Sequence, residues 1–146
     1  MKVKVISKSI HGLPEYAREG DAGMDIRWSA PKDVLMVLKP LERYAFPTGI
    51  YVELPEGYEF QIRPRSGLAN KHGITVLNSP GTIDSNFRGE IKVILVNLSN
   101  EAVTIHGGDR IAQMVLAKVG HVDWENAKEL AETERGVNGF GSSGVK

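Results

Sequence analysis

An all-β domain, built as a sandwich or barrel, is the fold class this chain predicts. Three features carry that expectation. Apolar and polar residues alternate at a period of two in many short segments. Gly, Pro, Asn or Asp bounds nearly every one of them. Helical spacing is scarce.

The elements follow in chain order. "KVKVI" near the N-terminus alternates and reads as a first strand. "GDAGMDIRW" places Asp21 and Asp25 on either side of Gly23, as acids in a turn. "RYAFPTGIYVELP" and "YEFQIRP" are β-rich, and the prolines of "LKPLERYAFPTGI" favour turns or sheet edges. "RSGLANKHG" fits one or two helical turns, weakened by Gly67 and stopped by Gly73. "VLNSPGTIDSNFRGEI" holds two extended runs joined by "NSPG", which is hairpin chemistry. "GEIKVILVNLS", "AVTIH" and "RIAQMVLAKV" complete the strands, the last after a tight glycine turn. "DWENAKELAE" carries helix formers behind Asp123 as an N-cap. From Arg135 the composition shifts to glycine. We therefore divide the chain into a β domain over 1–134 and a Gly-rich arm over 135–146.

Composition excludes several classes. At 146 residues the chain has the length of one domain. It has no cysteine, so disulfides and thiolate zinc sites are ruled out. Lys+Arg and Asp+Glu are both 18, so no net charge draws the whole surface to nucleic acid or an anionic membrane. Any anion site must be local. The N-terminal lysines are followed by no apolar signal segment, and no apolar run reaches the ~18 residues of a membrane span. The expectation is a soluble intracellular protein of the cytoplasm.

Several stretches suit an anionic ligand. Arg63, Arg65 and Ser66 lie where a strand gives way to a helix start, whose free N–H groups attract anions; an ordinary serine cap beside solvated arginines fits as well. Asp84, at the end of an apolar run, is either an Asx-turn former with Ser85 and Asn86 or a base that orients water. Asn78 either reads a base edge or starts its turn. Gln113 alternates with Ile111 and either serves the site or faces solvent from an edge strand. Asp21 and Asp25 either bind Mg²⁺ through water or are solvated. The four histidines have no metal-ligand spacing. In the tail, "GFGSSG" matches G-x-G-x-x-G at Gly139, Gly141 and Gly144, but no helix can follow within Val145 and Lys146. The tail is either a frayed end or a flap over phosphate.

Taken together, these stretches resemble the five ordered motifs of the homotrimeric dUTPase family. The matches are "DAGMDI" (21–26), "PRSGLA" (64–69), "GTIDSNFRGE" (81–90), "GDRIAQMV" (108–115) and "RGVNGFGSSG" (135–144). The resemblance implies a distorted jelly-roll-like β fold with one short helix. It also implies a homotrimer that exchanges its C-terminal arms and shares its active sites between subunits. The implied reaction is hydrolysis of dUTP to dUMP and pyrophosphate with Mg²⁺, limiting uracil in DNA and supplying dUMP for thymidylate. By the motif matches, Asp84 contacts the 3′-OH and orients or deprotonates the attacking water. Ser66 and Gln113 hold phosphate oxygens, with Arg65 nearby. Asp25 holds hydrated Mg²⁺ indirectly. The hairpin from Gly73 to Asp84 accepts uracil, with Asn78 reading its edge. The ring of Phe87 packs under the sugar and excludes a 2′-OH. Arg135, Phe140, Ser142 and Ser143 close over the nucleotide. Gly67, Gly81, Thr82, Ile83, Lys92 and Gly141 complete the implied substrate contacts.

Three positions depart from the family pattern. Phe87 stands for a usual Tyr, Asn138 for a common Gly, and Ser143 for a common Thr. Phe keeps the ring, Ser keeps the hydroxyl, and Asn tolerates positive φ. The related dCTP deaminases would need their own glutamate site and a different arginine-rich motif, and neither is found here.

Overall fold

The computed structural model describes residues 1–139. These form a β structure with one short helix and no closed barrel. The strands are β1 (Lys4–Ser7), β2 (Gly23–Arg27), β3 (Leu35–Leu38), β4 (Arg43–Pro47), β5 (Ile50–Glu53), β6 (Tyr58–Arg63), β7 (Ile74–Val76), β8 (Gly81–Ile83), β9 (Lys92–Asn97), β10 (Val103–His106) and β11 (Arg110–Lys118). The helix α1 (Ser66–His72) lies between β6 and β7.

Every ladder is antiparallel. The largest sheet has the order β2-β11-β6-β8, and a second has β4-β9-β7. Two-stranded pairs β1-β5 and β10-β3 complete the set. The period-two pattern does what it predicts. Ile50 and Val52, Phe60 and Ile62, Ile74 and Val76 all turn into one core. β9, flanked on both edges, buries most of its length, from Val93 through Leu95 to Asn97. Trp28 and Tyr44 pack edge-on against Phe46, with ring centroids 5.1 and 4.9 Å apart. Asn97 is the buried polar hub. Its amide donates to the carbonyls of Leu38 and Glu101, and its Oδ1 accepts from Ser99. β4 is an edge strand ending at Pro47, where no ladder N–H is needed.

The structure corrects four local expectations. The "DAG" segment runs directly into β2, so Asp25 belongs to a strand; only Asp21 is in a turn, accepting from the Arg18 N–H at 2.9 Å. The "NSPG" stretch does not close a ladder. β7 pairs with β9 and β8 with β6, so its two arms enter different sheets. β11 lies between β2 and β6, so Gln113 is on an interior strand and not an edge. "DWENAKELAE" forms no helix, and its residues are exposed. A polar ten-residue segment without a surface to pack on cannot offset the cost of helix nucleation.

Candidate active site

The strand β6 organises the candidate residues. At its Arg63 end the chain turns into α1. Arg65 is the N-cap residue, so Ser66 occupies the first helical position and makes no side-chain cap. Its hydroxyl is thereby left exposed, and the first N–H groups of α1 have no partner inside the helix. Gly73 ends the helix at φ 65, a left-handed cap that glycine adopts without strain.

Beside that turn, three distant segments meet. Gln113 in β11 lies opposite Arg63 on one side and Asp25 on the other. Its amide donates to the Pro64 carbonyl at 3.0 Å. The Asp25 carboxylate receives Arg65 Nε at 2.8 Å and Arg110 Nη1 at 3.0 Å. Arg65 also donates to the Arg110 carbonyl at 3.1 Å. Arg27, Arg65, Arg110 and Asp109 line an open basin of about 410 Å³. This end therefore gathers three arginines, two of them held by Asp25, and guanidinium forks are donors suited to phosphate. Gly23 contributes by what it lacks. A Cβ there would fall 2.6 Å from Gln113 Oε1, so the glutamine side chain lies directly across the glycine.

The other end of β6 carries a different set. Gly81 lies opposite Ile62 and Ile83 opposite Phe60, so β8 delivers Asp84 to the start of β6. Asp84 forms a backbone turn in which the Phe87 N–H donates to its carbonyl at 3.1 Å. Its side chain is exposed and takes no hydrogen bond from the described residues, so the Asx-turn is not formed. Phe87 is 40 % exposed and presents its ring at the same turn. Asn78 is exposed, and its amide lies against Gly81, where a Cβ would come within 3.2 Å of Nδ2. Thr82 is exposed on β8. Lys92 is exposed at the start of β9.

These two groups do not meet within one chain. Gln113 and Asp84 are four residue steps apart along the sheet, about 13 Å at the usual strand rise, with β6 between them. Among the described residues Arg135 bonds within its own loop, Nε donating to the Asn138 carbonyl at 2.9 Å. The positive φ in that loop belongs to Gly136 at 53°, not to Asn138. Phe140, Gly141, Ser142 and Ser143 lie outside the described residues.

For a metal, the described residues hold no cluster of three carboxylate, histidine or cysteine side chains. Asp25 spends one lone pair of each oxygen on an arginine and keeps the others available. A lone carboxylate with spare lone pairs fits Mg²⁺, which keeps several of its waters and asks for few protein ligands. Sequence reasoning singles out Asp25, Arg65, Ser66, Gln113 and Asp84. It misses Arg110 as the second partner of Asp25, and Gly23 as the seat of Gln113. Both stand inside the quoted motifs, but only the β2–β11 register makes them neighbours.

Residues 11–144 match the family model described as dUTPase. Among curated relatives, the deoxyuridine 5'-triphosphate nucleotidohydrolase of Finegoldia magna is 56% identical over 144 residues, with 99% of both chains covered. That of Cytophaga hutchinsonii is 58% identical over 142 residues, covering 97% of this chain and 91% of the relative. Among solved structures, the dUTPase of Staphylococcus bacteriophage 80alpha with dUpNHpp superposes with a TM-score of 0.85 at 28% identity, covering 99% of each chain.

Proposed function

The chain belongs to the dUTPase family, and from that premise we propose that it is a dUTP diphosphatase, hydrolysing dUTP to dUMP and pyrophosphate. The observation that carries the proposal is the match over 11–144 together with an Asp84 carboxylate at the end of β8 that is exposed and without a partner among the described residues. In this reaction a water oxygen attacks the α-phosphorus. The bond from that phosphorus to the bridging oxygen breaks, and pyrophosphate leaves. Asp84 orients the water and accepts its proton. Ser66, Gln113 and Arg65 bind and orient the phosphate chain, which is most of what phosphoanhydride hydrolysis asks of a protein. Asn78, Gly81 and neighbouring backbone groups receive uracil. Arg135, Phe140, Ser142 and Ser143 are assigned to the nucleotide by the fifth motif.

Asp25 would hold Mg²⁺ indirectly, accepting hydrogen bonds from water on the ion. Bound there, the ion supplies neutralisation of phosphate charge.

The separation of Asp84 from Gln113 supports a site completed by a second copy. In a threefold-symmetric trimer, one subunit brings Asp84 and the uracil segment, and a neighbour brings the Asp25–Arg65–Gln113 group. The segment after β11 favours the same assembly. Trp124 is 91% exposed and Leu130 90%, and apolar side chains so bare in one chain are suited to burial on another. The enzyme acts on the cytoplasmic nucleotide pool, lowering dUTP and supplying dUMP.

Pyrophosphate release from purified protein with Mg²⁺ and dUTP, dCTP, dTTP or UTP tests the proposal. Release with dUTP alone is expected. No release with dUTP overturns the reading, and ammonia from dCTP would favour a deaminase.

A further inference from the structure

Gly89 lies between the Asp84 turn and β9, beneath the ring of Phe87. A Cβ built on Gly89 would fall 2.5 Å from Phe87 Cζ and 2.9 Å from Cε2. Real Cβ contacts are not that short, so a side chain at 89 and this ring pose exclude each other. Gly89 is not among the glycines held at positive φ, so its backbone does not itself require glycine. What the missing Cβ grants is room for the ring.

The rest of the turn is fixed independently. The Phe87 N–H donates to the Asp84 carbonyl at 3.1 Å. Arg88 Nη1 donates to the carbonyls of Ser85 and Phe87 at 2.6 and 2.9 Å. The backbone around the ring is therefore tied down, while the ring itself is exposed and rests on the glycine.

We infer that Gly89 is a specificity-determining positioning residue, the seat that sets where the Phe87 ring stands beside Asp84 and so which sugars the site admits. The inference rests on the reading of Phe87 as the group that faces the deoxyribose. A methyl at 89 displaces the far end of the ring and leaves the pinned turn in place. The ring then no longer walls off the 2′ position.

The test is the ratio of kcat/KM for dUTP over UTP in Gly89→Ala, Phe87→Ala and the double variant. Gly89→Ala should lower the ratio about tenfold, the scale of a steric discrimination in an apolar pocket. In the Phe87→Ala background the same change should lower it no further, because the ring through which it acts is gone. A merely structural role would lower both substrates together and leave the ratio alone. An unchanged ratio in Gly89→Ala beside a lowered one in Phe87→Ala overturns the inference. So does an equal drop in both backgrounds. Phe87→Ala with an unchanged ratio breaks the sugar-facing reading first, and wild-type protein inert toward dUTP breaks the proposed function. Should Gly89→Ala fail to fold, a folded double variant supports the steric seat, and an unfolded one refutes it.

Discussion

At the Arg63 end of β6, polar groups hold one another. Two arginines close on Asp25 within 3.0 Å, and Gln113 is tied to the Pro64 carbonyl. At the Tyr58 end, Asp84 and Phe87 face solvent, with the turn fixed through its backbone and the functional side chains left open. The first region is held in place by its own hydrogen bonds and ion pairs, so under the proposed function its donors would need little reorganisation to meet phosphate. The second keeps a carboxylate, Asp84, exposed and without a partner among the described residues. The two groups stand four residue steps apart along β6, at opposite ends of one strand.

The largest effect should come from the open end. Asp84→Asn is expected to lower kcat about 10²–10⁴-fold, the range for losing a positioned proton acceptor, with nucleotide binding largely spared. Steady-state kinetics beside calorimetric titration of a non-hydrolysable analogue check this, and full activity would remove Asp84 from its role. Deletion of 135–146 comes next. Among the described residues Arg135 and Gly136 bond within their own loop, so melting should be unchanged while dUTP hydrolysis drops severely. Normal turnover by the truncated protein would make the arm dispensable.

At the prebuilt end the effects should be graded. Gly23→Ala pushes Gln113 off its seat, and a charge-assisted contact to phosphate is worth about 1.5–3 kcal/mol. We expect kcat/KM for dUTP to fall in proportion, with the fold kept, and wild-type kinetics would show that Gln113 needs no such seat. The smallest effect lies away from both ends. The Lys4 ammonium, 2.9 Å from Glu53 and hydrogen-bonded to it, holds the Glu53 carboxyl below its ordinary value. The contribution of the pair is therefore present at neutral pH and lost as the pH falls through the lowered value. Both side chains are exposed, so solvent screens the pair. Lys4→Met should return the Glu53 titration toward its ordinary value by NMR and leave melting at pH 7 nearly unchanged.

Most strands are legible in the sequence because one face of each is buried, which writes a period of two into it. β3 is not, since "LMVL" offers no alternation to read and leaves Leu35 and Val37 exposed. β2 reads as a turn because "GDAG" is turn chemistry, and only pairing with β11 makes a strand of Gly23–Arg27. The "NSPG" stretch has the composition of a hairpin, but which ladder each arm joins is decided by partners distant in sequence. The candidate residues are singled out through their ordered motifs. The contacts of Arg110 with Asp25 and of Gly23 and Gly89 with Gln113 and Phe87 are not legible there, because they depend on register and on space beside another side chain. Sequence pattern reports which face a residue uses, but not which neighbour waits there.

The division of the site between copies is tested most directly by mixing two variants. One carries Asp84→Asn, and the other carries Ser66→Ala with Gln113→Ala. Each is refolded alone and then together in equal amounts. If Asp84 of one subunit works with Ser66 and Gln113 of another, random assembly leaves about a quarter of the sites intact, and the mixture regains about that share of wild-type dUTP hydrolysis. If the mixture shows only the mean of the two impaired parents, each chain supplies its whole site and the account is wrong.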